Sequence, residues 1–394
     1  MEYCLGFLCA NANSINDTDI PVDDSGIAPY TEPESLRAIR LAMYTIVFLG
    51  SLIGNSVVVR VIQELNKMIK RPITYYLITN LALAELLGTS CMLFFRAYVE
   101  LRSWPFGDVM CRILNAMLVM SYAVVPATLA AIAILRYRLI VSRPIPPSSE
   151  KRTFLLMAAL WGVGMGICLP SFLTATVVQS PLDEETYWCI ELFPGDTLED
   201  FPSQKLKRFF LVRFMLNFAC PGIIMVAAYG ALACKLRLRV STRMRCDKCK
   251  TNLRPLTTTS VIYLSKSKNT ENSPTPPISM IVVTSPSSEA LEHAGSSSKS
   301  TDTAPEQNSM ERDLLRMIYA IIVIYLVCYL PYQIFFLLEY FKAVTPRWRY
   351  FDVTREYLYL ITCFPSALHP LCYGTMCPFY AMAFSRLILC KKTR

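Results

Sequence analysis

The stretch Ile113–Ile140, ILNAMLVMSYAVVPATLAAIAILRYRLI, carries no charged residue before Arg136. A bilayer core about 30 Å thick needs roughly 20 predominantly apolar residues in a helix to cross it, and this stretch meets that need. Six more do so: Leu41–Ile62, Ile73–Val99, Phe154–Val177, Phe209–Leu236, Leu314–Phe341 and Tyr357–Met376. The last is interrupted by Pro365 and Pro370. Prolines are tolerated in membrane helices when neighbours satisfy the carbonyls they free. The expected fold is therefore an all-α membrane protein, a seven-transmembrane helix bundle. After Tyr373, Phe379, Tyr380, Ala383, Phe384, Leu387 and Ile388 recur at helical spacing. That pattern adds a short amphipathic eighth helix on the inner membrane surface, in contact with lipid.

Composition agrees. Of the 394 residues 53% are hydrophobic and 18% charged, against about 25% charged in soluble chains. The net charge of +9 is scattered between apolar runs. Basic stripes with interleaved aromatics, the footprint of nucleic-acid binding, are absent from the sequence. Membrane orientation explains the excess better. Lys67, Lys70 and Arg71 lie in the first loop and Arg138, Arg143, Lys151 and Arg152 in the third. Lys235, Arg237, Arg239, Arg243 and Arg245 open the fifth, while Asp17, Asp19, Asp23, Asp24, Glu32 and Glu34 precede the first helix. Basic short loops stay cytoplasmic, which puts the N-terminus outside and the C-terminus inside. Met1–Ala10 lacks the basic start of a cleaved signal peptide, leaving the first helix as the targeting signal.

The chain then divides into an extracellular segment, 1–38, and helices one to five, 39–237. A third cytoplasmic loop, 238–310, follows, then helices six and seven, 311–376, and an amphipathic helix with a tail, 377–394. Ser241–Met310 is rich in Ser, Thr, Pro and Lys and is expected to be disordered. Asn16-Asp17-Thr18 is a glycosylation sequon on the outer side, or a chance match. Cys390 is a palmitoylation candidate or a free thiol. Cys246 and Cys249 form a lone CxxC without a second ligand pair, a weak zinc signal.

Landmarks within the runs give the bundle an identity. They are Gly54-Asn55, Asn80-Leu-Ala-Leu-Ala-Glu85, Trp104-Pro-Phe-Gly107 ahead of Cys111, and Leu135-Arg136-Tyr137. Trp161, Pro221, Tyr229, Cys328-Tyr329-Leu330-Pro331 and His369-Pro370-Leu371-Cys372-Tyr373 follow. In this order they resemble the rhodopsin-like (class A) family of G-protein-coupled receptors over about Leu41–Cys390. Four positions depart from the family pattern: Glu85 for Asp, Leu135 for an acid, Tyr329 for Trp and His369 for Asn.

The resemblance implies a disulfide between Cys111 and Cys189. It makes Arg136, Tyr229, Tyr373, Pro331 and Pro370 parts of the activation switch, together with Glu85, Tyr329 and His369. Leu135 removes the customary partner of Arg136, so Glu311 at the start of the sixth helix is its expected partner. The family's sodium site is expected to be lost or weakened, because Val125, Pro365, Ser366 and His369 leave few oxygen ligands around Glu85. Glu85 is expected instead to meet His369, either as a pH-sensitive or as a neutral pair.

Leu118 stands where amine receptors of the family carry Asp, which argues against a monoamine. The outer helix turns offer Arg96, Asn115, Arg213, Asn217, Tyr332, Gln333, Glu339, Arg355 and Tyr359 as ligand-binding groups, around Leu118. An intramembrane arginine such as Arg213 is a functional-site hypothesis by default. It takes either a ligand carboxylate or an internal acid. The acidic loop from Asp183 to Asp200 either steers a basic peptide or is simply solvated.

No catalytic motif occurs, and with 2 His a histidine-based metal site is not expected; the chain is read as neither an enzyme nor a cofactor protein. The expected function is to sense an extracellular ligand, foremost a neuropeptide or peptide hormone, and to activate heterotrimeric G proteins at the plasma membrane. Receptor kinases and arrestin are expected partners, the kinases acting on the Ser- and Thr-rich third cytoplasmic loop. A small acidic or lipid ligand, a constitutively active orphan receptor and, remotely, a small transporter are the alternatives.

Overall fold

The computed structural model describes residues 30–66, 73–141, 150–180, 185–198, 201–252, 304–345, 348–376 and Ala381. Asn16, Cys390 and the expected eighth helix lie outside the described residues, apart from Ala381. Two compact units emerge: Met1–Leu232 with Pro305–Arg394, and Ala233–Ala304. Seven helices follow in order among the described residues. They are α1 (Glu34–Asn66), α2 (Ile73–Leu101), α3 (Gly107–Val141), α4 (Glu150–Thr174), α5, α6 (Ala304–Tyr340) and α7 (Phe351–Met376). α5 has three pieces: Gln204–Phe214, a π-helical turn Met215–Ala219, and Cys220–Asn252. Among the described residues, α1 to α6 are each long and apolar enough to cross a membrane. α7 is helical but begins with Asp352, Arg355 and Glu356, which dilute its apolar character.

In the second unit, the described residues are the end of α5, helical to Asn252, and Ala304. The helix therefore runs beyond the boundary expected at residue 237. Residues 236–245, LRLRVSTRMR, alternate leucines and arginines, which favour helix. α6 likewise begins at Ala304, ahead of the expected 311.

The fourth apolar run ends in a strand, not in helix as far as Val177. α4 stops at Thr174, and Ala175–Gln179 (β1) pairs antiparallel with Tyr187–Glu191 (β2), Val177 opposite Cys189. Thr176 and Val177 are β-branched and favour strand. Their Oγ1 and backbone N–H donate to Asp108 Oδ1 at 3.3 and 3.0 Å. An apolar run alone does not reveal this change of period.

Prolines shape the interior. Pro221 offers no N–H to the carbonyl four residues back, that of Asn217. The helix widens there into its π turn, and the Tyr325 hydroxyl donates to the Asn217 carbonyl at 3.5 Å. Pro370 frees the Ser366 carbonyl in the same way, and Asn55 Nδ2 donates to it at 2.9 Å. α1 reaches that point because Gly54 has no side chain. A Cβ there would stand 2.5 Å from Pro370 Cβ.

Five buried clusters occur among the described residues, and two of them contain most of the core. The larger contains Leu77, Leu81, Leu129, Ile318, Tyr325 and Tyr373. A second joins Phe95, Trp104 and Leu118 to Trp188, Cys189 and Ile190 of β2. Trp104 is its keystone. Its indole donates to the Gly107 carbonyl at 2.9 Å and its ring meets Phe95, Tyr98 and Phe106. Gly107 sits at φ +77°, a left-handed conformation that favours glycine, so the chain can turn into α3.

Candidate ligand cavity and helix-coupling residues

Cys111 at the first turns of α3 is disulfide-bonded to Cys189 in β2. The β-hairpin is thereby fixed over the end of the bundle at which a cavity opens. Leu118, Arg213, Asn217, Tyr332, Gln333 and Tyr359, all expected ligand-binding groups, line this one cavity. Its remaining wall is mostly aromatic: Tyr122, Phe214, Phe218, Tyr325 and Tyr329. Tyr122 and Tyr359 share a hydroxyl–hydroxyl hydrogen bond of 2.6 Å, and the Tyr325 and Tyr329 rings lie 4.5 Å apart. Tyr329, expected as a switch residue, therefore belongs to the cavity wall too. Tyr325, Tyr329 and Tyr332 form a one-face stripe on α6, a pattern legible in the sequence once α6 is drawn as a helix.

Arg213 is the only charged residue among those lining the cavity, and its charge is met from behind. Its Nη1 donates to Ser171 Oγ at 3.3 Å and to Glu191 Oε1 at 3.5 Å. Its guanidinium also lies 4.9 Å from the Phe210 ring centroid and 5.4 Å from that of Phe209. Glu191 was legible only as one acid of an acidic loop. The strand places it on the arginine, with its side chain 0% exposed. Burial holds the Glu191 carboxyl above the usual carboxylate range, and the Arg213 charge offsets only part of that rise.

The other expected ligand-binding groups are placed elsewhere. Arg96 bonds Glu356 at 2.5 Å and Tyr44 at 3.2 Å. It belongs to an ionic cluster with Arg40, Glu32 and Glu100 that ties α1, α2 and α7 together. Sequence reasoning missed this cluster, because its members are far apart in the chain. Arg355 is buried over the Phe351 ring with Glu339 and Asp352 as opposing charges. Asn115 is buried on α3, and among the described residues neither of its amide atoms finds a hydrogen-bond partner.

Deeper in the bundle, His369 Nδ1 lies 2.5 Å from Glu85 Oε1, with the two side chains 0% and 3% exposed. This contact links α2 to α7. A polar chain lies beside it: Asn55 Nδ2 donates to Ser51 Oγ at 3.2 Å, and the Ser51 and Thr89 hydroxyls are 2.8 Å apart. Asn80 bridges α2 to α3 and α4, donating to Thr128 and accepting from the Trp161 indole. Toward the other end Arg136 is 4% exposed and Tyr373 fully buried, while Tyr229 is half-buried. Glu311 lies in α6, but its side chain is outside the described residues, so the expected Arg136–Glu311 pair falls there too. Pro331 and Pro370 sit inside α6 and α7.

Long apolar helices, a disulfide-pinned hairpin and a cavity among the helices define a multi-pass helical membrane protein. The chain belongs to the 7 transmembrane receptor (rhodopsin) family, whose model it matches over residues 54–373. It is a family of receptors, not of enzymes. The neuropeptide FF receptor 2 of Rattus norvegicus is 27% identical over 234 residues, covering 56% of this chain and 54% of that protein. The neuropeptide Y receptor type 2 of Cavia porcellus is 28% identical over 226 residues, 55% and 58% of the two chains. The prokineticin receptor 2 of Rattus norvegicus is 29% identical over 251 residues, 61% and 62%. The chain thus spans a little over half the length of these curated relatives.

Proposed function

We propose that this protein is a plasma-membrane receptor that binds an extracellular peptide and activates heterotrimeric G proteins. The observation that carries this is the cavity itself, which gathers six expected binding groups under a pinned hairpin and offers a monoamine no carboxylate at Leu118. The relatives, receptors for neuropeptides and a prokineticin by their names, support a peptide. The second reading, a small acidic or lipid ligand held by Arg213 and Arg96, is weakened because Glu191 and Glu356 already occupy those arginines. The basic loops support an outside N-terminus and an inside position for the third cytoplasmic loop, 238–310, where receptor kinases and then arrestin would act.

The test is a peptide-library screen on expressed receptor, read by G-protein dissociation after the ligand-free signal has been recorded. At least one peptide is expected to raise the signal, and cavity substitutions such as Tyr122→Ala are expected to abolish that response. A peptide response indifferent to the cavity residues would refute the site, and ligand flux into vesicles without nucleotide exchange would refute the receptor.

The switch end carries a second expectation. Arg136 is a charge inside an apolar helix and needs a counter-charge, and Leu135 supplies none. With Glu311 as its resting-state partner, Glu311→Ala should raise ligand-free signalling by up to about fivefold, the equivalent of about 1 kcal/mol. An unchanged basal signal at equal surface expression would remove Glu311 from this role.

A further inference from the structure

We infer that Glu191 sets the charge that the cavity accepts: by neutralising Arg213 it makes this a site for an uncharged ligand end and excludes a free carboxylate. The inference rests on the cavity being the ligand site. Arg213 is its only charged wall residue, and every other polar group there is an amide or a hydroxyl, as in Asn217, Gln333 and Thr362. An open guanidinium in such a place would be a bidentate trap for carboxylates. Here it is already engaged by a buried carboxylate, a serine hydroxyl and two aromatic faces.

A ligand carboxylate at Arg213 would bring a second negative charge next to Glu191. Two like charges in a water-poor site repel strongly, and one positive charge cannot balance both. An uncharged end, such as a carboxamide beside an aromatic ring, meets no such penalty. It finds Asn217 and Gln333 for its polar atoms and the tyrosine wall for its ring. Glu191 is fixed for this role by its place in the fold. It lies opposite Ala175 in the β-ladder and two residues after the disulfide-bonded Cys189.

The test uses purified full-length receptor in detergent and two probes that differ only in charge, N-acetylphenylalaninamide and N-acetylphenylalanine. Binding is read by saturation-transfer NMR and by melting temperature. The wild-type protein should bind the amide at least about tenfold more tightly than the acid. Glu191→Gln keeps the side-chain size and removes the negative charge. It should reverse that order, because a buried arginine without a carboxylate recruits one from the ligand. Folded Glu191→Gln protein would also be stabilised by chloride over gluconate, as the wild type would not.

If the wild type takes the acid as tightly as the amide, or the substitution leaves the ratio unchanged, the inference fails while the cavity stands as the ligand site. If neither probe binds the wild type, the cavity reading fails and takes the inference with it. Should Glu191→Gln not yield folded protein, Arg213→Gln carries the test. With Glu191 as the unpaired charge, the acid must remain excluded and phenethylamine should gain about tenfold; acid binding by that variant would overturn the inference.

Discussion

Replacing His369 with leucine should cost the receptor about 3 kcal/mol, read as a lower melting temperature in detergent and a lower yield at the cell surface. The imidazole is the hydrogen-bonding partner of a carboxyl group whose side chain is only 3% exposed. Glu85 Oε2 has no close hydrogen-bond partner among the described residues, so the loss of His369 leaves the carboxyl with little beyond the neighbouring Asn55 amide. Breaking a buried pair from one side is the costly case, because the surviving group keeps its desolvation penalty. Polar contacts between membrane helices commonly contribute less, about 0.6 kcal/mol on average. The larger figure applies here because Glu85 and His369 face the bundle interior and have no lipid headgroup to reach. Protonation of Glu85 would relieve part of the loss, which keeps the figure at the lower end of the range for a buried pair. A double variant, Glu85→Gln with His369→Asn, should regain most of the stability, since two amides can bond across the same gap. If His369→Leu melts with the wild type, the contact is not a tie between α2 and α7.

The same pair separates what the sequence discloses from what it withholds. The helices were legible because an apolar run of spanning length is a local property, written in consecutive residues. The Glu85 and His369 positions were legible because the family's order of landmarks aligns them. Six cavity residues could be named for the same reason. The acid behind Arg213 could not, because a carboxylate 22 positions from an arginine announces nothing until a strand folds it back. The cluster of Arg40, Glu32, Glu356 and Arg96 was hidden for the same reason: its closing bond joins residues 316 apart. The end of α4 was misread because Thr174–Val178 is as apolar as a helix would need, and only Tyr187–Glu191 makes it a strand. The tyrosine stripe on α6 was visible in the sequence. Two of its members, Tyr329 and Tyr332, were named for separate roles, but aromatic residues one turn apart are more often core than binding wall, so Tyr325 did not stand out.

The disulfide gives the second large effect. Cys111→Ser should cost about 3 kcal/mol and abolish ligand response even in the molecules that reach the surface. The sequence separation of the two cysteines, 78 residues, would suggest more, about 4.5 kcal/mol of loop-closure entropy. That figure assumes a free chain. Here α3 and α4 stay inserted in the bilayer when tertiary structure is lost, which already returns the chain to the face it left. The segment the bond actually restrains runs from Thr174, the end of α4, to Cys189. A closed loop of about 15 residues gives about 3 kcal/mol. The functional loss is larger than the stability loss, because of what hangs on Cys189. Trp188 and Ile190 on either side of it complete the buried cluster around Trp104, and Glu191 reaches Arg213 from the next position. A released hairpin would withdraw Glu191 from the arginine that faces the cavity. Cys111→Ser, Cys189→Ser and the double variant should therefore behave alike, since each removes the same bond. Trp188→Ala, which keeps the bond but hollows the cluster, should lose stability while retaining a ligand response. A Cys189→Ser receptor that still answers its ligand would show that the hairpin holds its place through β1 and Trp104 alone.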